Sequence, residues 1–66
     1  MQLIINGTPR QFNGTNTIAQ VVHHINTNNK HIIAEVNGQI IPSTDWEKTL
    51  VKEGDTIELV TFVGGG

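Results

Sequence analysis

Thr17-Ile18-Ala19-Gln20-Val21-Val22-His23-His24-Ile25 is the stretch on which the fold turns. Ile18, Val21, Val22 and Ile25 fall at i, i+3, i+4 and i+7, so they share one face of a helix of two to three turns. Thr17 stands where an N-cap is needed. Gln20, three positions on, completes a capping box by reaching back to the Thr17 amide. Asn26-Thr27-Asn28-Asn29 then ends the helix. No other segment carries comparable helical periodicity, so this face must cover whatever sheet the rest of the chain forms.

On the N-terminal side, Leu3, Ile4 and Ile5 run into Asn6-Gly7, a two-residue hairpin signal because both positions tolerate positive φ. Pro9 lacks an amide donor, which places the return strand near Arg10 to Phe12 at a sheet edge or starts it after the proline. On the C-terminal side, His31 to Val36 reads as a strand. Asn37-Gly38 signals a second hairpin into Gln39-Ile40-Ile41, and Pro42 stops that strand. Thr44-Asp45-Trp46-Glu47 has the spacing of another capping box, enough for one short helical turn. Lys52-Glu53-Gly54-Asp55 turns the chain into a last strand, Thr56 to Val63. Alternation puts Ile57, Leu59, Thr61 and Val63 on one face and Glu58, Val60 and Phe62 on the other. Strand hairpins with a single covering helix make an α+β, two-layer domain over residues 1–63, followed by a tail at 64–66.

A chain of 66 residues buries about 60% of its unfolded surface, which leaves a thin stability margin. It has no cysteine, so thiolate chemistry, disulfides and cysteine metal sites are excluded. Four basic residues against six acidic ones give a formal charge of −2, and Arg10, Lys30, Lys48 and Lys52 are scattered. Nucleic-acid binding calls for a concentrated basic face, which is absent. Glu53, Asp55 and Glu58 gather before the tail and read as a solvated loop and strand face, with a face toward a basic partner groove as the alternative. The N-terminus has neither a basic region nor a long apolar run, and no stretch approaches the roughly 20 apolar residues that span a bilayer. A cytoplasmic, soluble protein is expected.

The side chains offer little chemistry. His23 and His24 are adjacent on a helix, so they point about 100° apart and do not converge on an ion. His31 lies elsewhere, and a metal site would need further ligands. Ser43, the only serine, is explained by turn formation. No glycine-rich loop opens a helix, so no phosphate cradle is present. Trp46 reads as a packing residue over the short turn, with a partner contact as the alternative.

What remains is Gly64-Gly65-Gly66. Three glycines in these places arise by chance about once in several thousand chains. Either the end is an ordinary frayed terminus, or it is an arm thin enough to carry the Gly66 carboxylate into another protein's active site. Such a carboxylate is ionised at neutral pH and can attack the α-phosphate of ATP as an oxygen nucleophile. Nucleotide, magnesium and stabilising charge would come from a partner enzyme. One helix does not cover both faces of a sheet, so the face with Val60 and Phe62 is a candidate docking patch beside that arm.

The 66-residue length, the Met1-Gln2-Leu3 opening, Ala34-Glu35-Val36-Asn37-Gly38-Gln39-Ile40-Ile41-Pro42, Trp46 and the run from Val51 to Gly66 together resemble the sulfur carriers of thiamine biosynthesis, the ThiS family. The likeness runs from end to end. It implies a ubiquitin-like β-grasp fold, a mixed sheet wrapped around the helix. It implies a carrier with no catalysis or bound cofactor of its own, Gly65 and Gly66 matching the family's terminal pair and Gly64 preceding them. A ThiF-type adenylyltransferase, supplying ATP and Mg, would adenylate Gly66. Sulfur from a cysteine desulfurase or similar donor would give a thiocarboxylate, and thiazole synthase would receive the sulfur. Related glycine-ended chains keep other readings open: a molybdopterin synthase small subunit, a protein modifier, or a ubiquitin-like interaction module with an inert tail.

Overall fold

A computed structural model describes residues 1–25 and 31–61 of the chain. Five strands and one α-helix follow in the order β1 (Gln2–Ile5), β2 (Thr8–Gln11), α1 (Ile18–Ile25), β3 (Ile32–Val36), β4 (Gln39–Ile41) and β5 (Thr56–Thr61), with a 3-10 turn at Ser43–Asp45. The strands form one sheet in the order β2-β1-β5-β3-β4. β1 and β5 run parallel, and every other neighbouring pair is antiparallel. This mixed sheet packed on a single main helix is the β-grasp architecture the resemblance implied.

Local signals account for the elements. Asn6 and Gly7 take φ values of 50° and 82°, which makes a tight turn of the twist that suits a hairpin, and Ile5 pairs with Thr8 across it. Asn37 and Gly38 repeat the arrangement at 51° and 86°, with Val36 opposite Gln39. Pro9 sits in β2, the edge strand, where its missing N–H breaks no ladder inside the sheet. The capping box forms as read: the Thr17 amide donates to Gln20 Oε1 at 3.0 Å, and the Gln20 amide donates to Thr17 Oγ1 at 3.3 Å.

Period-2 strands and a period-3.6 helix then meet in one core. Leu3, Ile5, Ala34 and Ile57 point from the sheet toward Ile18, Val21 and Val22 of α1, and Phe12 and Val51 are buried with them. Leu3, Ile18 and Ile57 are completely excluded from solvent. Each such side chain contributes about 1.5–3 kcal/mol, and a chain this short has few of them. Trp46 is half-buried against this core, and its indole N–H donates to the Ile41 carbonyl at 2.8 Å, which supports the packing reading.

Three expectations need correction. The strand after the helix begins at Ile32, because His31 has φ 37° and bends the backbone just before it. The short turn near Trp46 is present, but no capping box holds it. It spans Ser43–Asp45, Pro42 takes the N-cap place without a side-chain bond, and the turn closes through backbone contacts from Asp45 to Pro42 and Trp46 to Ser43. Asp55 does not belong to a solvated acidic face. It is buried, for reasons given below. The expected helix stop at 26–29 and the strand's continuation to Val63 involve residues outside those described.

Candidate functional site

β5 lies in the centre of the sheet and is the last described element before the C-terminal residues, so what fixes β5 fixes the chain as far as Thr61. Its first residue is prepared by a side-chain clip. Asn37 Nδ2 donates to Asp55 Oδ1 at 3.0 Å, and the Lys52 amide donates to Asp55 Oδ2 at 2.8 Å. The Thr56 amide returns a bond to Asn37 Oδ1 at 3.0 Å. Both carboxylate oxygens of Asp55 are thus satisfied, which is the condition for burying a charged group. Backbone bonds add to the clip: Ile4 donates to the Asp55 carbonyl and Asn6 to the Ile57 carbonyl, each at 2.9 Å.

β1 ends at Ile5, before β5 is half complete. The Asn6 side chain takes over there, its Oδ1 accepting from the Leu59 amide at 2.8 Å. One residue therefore makes the hairpin turn and also continues the ladder along the last strand. Sequence reading found the turn at Asn6 and Asn37 but not the side-chain bonds, since the same residue type serves both purposes.

The two faces of β5 differ as alternation requires. Ile57 is fully buried and Leu59 packs against the core, whereas Glu58 and Val60 point away from the helix. Val60 is 50% exposed, unusual for a valine in a central strand. Antiparallel register sets Ile33 of β3 directly across from Val60, and Glu35 across from Glu58, with Ile40 of β4 beyond Glu35. Ile40 is 60% exposed. The outer sheet face thus carries Ile33, Ile40 and Val60 beside two carboxylates. Of the residues expected to function, Val60 lies on this open face. Phe62, Gly64, Gly65 and Gly66 are outside the described residues.

His23 and His24 are exposed on α1, and the His24 ring meets Phe12 edge-on with centroids 5.4 Å apart. No group of three His, Cys, Asp or Glu side chains able to hold a metal occurs among the described residues. A shallow cleft of about 470 Å³ runs between α1 and the 3-10 turn, lined by His23, Thr44, Trp46 and Glu47 among others. Among the described residues, no helix is long and apolar enough to cross a membrane.

The family model of the ThiS family matches residues 3–66, which takes in the core, the clip, the outer face and the glycine end. The chain belongs to the ThiS family. The sulfur carrier protein ThiS of Escherichia coli (strain K12) is 26% identical over 66 residues, all of both chains. The crystal structure of the thiamine biosynthesis protein (ThiS) from Geobacter metallireducens superposes with a TM-score of 0.80 at 28% identity, again over the whole of both chains. A thiazole synthase of Paramagnetospirillum magneticum is 32% identical over this entire chain, which spans only 20% of that longer protein. Family membership and the observed sheet topology agree, and both agree with the resemblance read from residues 1–66.

Proposed function

We propose that this chain is a sulfur carrier protein of thiamine biosynthesis, a protein co-substrate whose working group is the Gly66 carboxylate. The observation that carries the reading is the family match, which extends through residue 66 and so includes the glycine end. It is supported by a full-length likeness to a sulfur carrier protein ThiS, and by a sheet that holds β5 at its start and again at Leu59.

The chemistry follows from what a bare carboxylate can do. In the active site of a ThiF-type adenylyltransferase, a Gly66 carboxylate oxygen attacks the α-phosphate of ATP. Magnesium-bound pyrophosphate leaves, and an acyl-adenylate results. The terminal sulfur of a persulfide, delivered by a cysteine desulfurase or similar donor, then attacks the carbonyl carbon, and AMP departs to leave an acyl disulfide. A thiol reductant cleaves its S–S bond, forming a disulfide with the donor sulfur and leaving a thiocarboxylate at Gly66. Thiazole synthase takes that sulfur; a thiazole synthase whose chain contains a stretch similar to this one supports it as the acceptor. Gly64 and Gly65 serve as the arm, because a β-carbon there would widen a segment that must thread a narrow channel. Val60 and Phe62 serve as the docking patch that orients the domain. The reactions belong in the cytoplasm, where the activating enzyme and ATP are found.

The test is incubation with ATP, magnesium and the matching activating enzyme, reading pyrophosphate release and adenylate formation at the C-terminus. Formation of the adenylate, and its loss when Gly66 is deleted, supports the reading; an unmodified chain beside a demonstrably active enzyme overturns it. The molybdenum-cofactor alternative predicts instead a stable complex with a molybdopterin synthase large subunit. The thiamine reading is preferred because the full-length relative and the solved structure described above both carry thiamine-pathway or ThiS names.

A further inference from the structure

The outer sheet face combines two features that the fold does not require. Val60 and Ile40 remain half-exposed or more on a face that α1 does not cover. Beside them, Glu35 and Glu58 stand directly opposite each other on β3 and β5. Like charges facing across an antiparallel pair repel and destabilise the fold. The registers place Gln2, Ile4, Pro9, Gln11, Ile33, Ile40, Thr56 and Val60 at the other outward strand positions, and none of these is basic. The sheet itself therefore brings no cation to the pair.

We infer that this face is read by the activating enzyme through an arginine or lysine seated between Glu35 and Glu58, with Ile33, Ile40 and Val60 packing around it. The inference rests on the carrier reading and specifies the chemistry of its docking surface. Charge complementarity selects the occupant: a cation relieves the repulsion within the carrier while it pairs with both carboxylates, so docking gains from each. The planar fork of arginine suits two neighbouring carboxylates especially well. Apolar neighbours lower the local dielectric and make the contact stronger than one on an open surface.

The length of the tail bounds how far away the domain can dock. Gly66 lies five residues beyond Thr61, a reach of at most about 18 Å when fully extended. Thr61 must dock within that distance of the adenylation centre, and Val60 and Glu58 lie one and three positions before it on the outer face of β5. The face thus both recognises the enzyme and sets how far Gly66 projects into it.

Glu58→Lys separates this role from a structural one. It places a lysine opposite Glu35, which exchanges a repulsive cross-strand pair for an attractive one and raises the melting temperature. In adenylation by the matching enzyme, measured as pyrophosphate release against carrier concentration, KM should rise by roughly tenfold or more. The Glu35→Gln, Glu58→Gln double variant should also raise KM, and its KM should respond less to added salt than the wild-type value. Glu47→Gln, which removes one charge beside Trp46, is the control and should behave as wild type. A Glu58→Lys carrier more stable than wild type but with unchanged KM and salt response overturns the inference, and would leave the pair as a guard against sheet-face aggregation. Failure of the wild-type carrier to be adenylated at all overturns the underlying reading instead, so the two failures are distinct.

Discussion

Asn37 Nδ2 donates to Asp55 Oδ1 at 3.0 Å, joining the tip of the β3–β4 hairpin to the residue that launches β5. The contact spans 18 positions in sequence and lies partly buried. It closes a circuit, because the Thr56 amide bonds back to Asn37 and the Lys52 amide to Asp55. The strand that carries the tail is therefore aligned by polar contacts at its start and by apolar packing through Ile57 and Leu59.

Breaking the clip should cost stability out of proportion to its exposure. Asp55→Ala removes the acceptor for two donors and should destabilise the fold by about 2–4 kcal/mol, with Asn37→Ala costing about 1–3 kcal/mol. The double variant should lose less than the sum, because each single change already breaks the shared bond. Urea unfolding midpoints check this. Additive losses would mean that the two side chains act independently.

The two faces of β5 should respond oppositely to truncation. Ile57→Ala opens a cavity in a fully buried position and should cost about 2–5 kcal/mol. A domain of this length has only about 3–10 kcal/mol in total, so the variant should be largely unfolded on warming. Val60→Ala should change stability by no more than about 0.5 kcal/mol, while Val60→Asp should weaken adenylation through KM. Thermal melts and adenylation kinetics on the same preparations separate the two effects. A large loss of stability in Val60→Ala would show that this residue is packing rather than presenting a surface.

Removing the helix cap should have a smaller, local effect. Thr17→Ala deprives the Gln20 amide of its acceptor and should cost about 1 kcal/mol, with Thr17→Ser retaining most of it. A shift of several degrees in melting temperature is the expected reading for a domain this small. No shift would mean that the Gln20 half of the box, which also accepts from the Asn16 amide, suffices alone.

Much of this architecture was legible in the sequence. The two Asn-Gly turns, the Thr17–Gln20 box, the spacing from Ile18 to Ile25 and the alternation from Ile57 to Val60 are local patterns, and each produced the element it signalled. Asp55 was misread because proximity to Glu53 and Glu58 in sequence suggests a common solvated surface. Its partner, Asn37, comes from another hairpin, and no local pattern announces a contact across 18 residues. Capping at Thr44 failed for a related reason. Pro42 already presets the backbone entering the turn, and the N-cap place lies two residues earlier than expected, at Pro42 instead of Thr44. Exposure of Val60 followed from a count of layers, since one helix leaves one sheet face uncovered. The facing of Glu35 and Glu58 requires the β3–β5 register, which alternation within one strand does not fix.

The central claim is that Gly66 carries sulfur, and intact-mass spectrometry tests it most directly. The wild-type protein is incubated with ATP, magnesium, the matching adenylyltransferase, a cysteine desulfurase with cysteine and a thiol reductant, then weighed beside a chain lacking Gly66. The account predicts that the wild-type mass rises by the difference between one sulfur and one oxygen, with the change located in the C-terminal peptide, and that the shortened chain stays unmodified. An unchanged wild-type mass alongside an activating enzyme shown to be active, or an equal gain in the chain without Gly66, would contradict it.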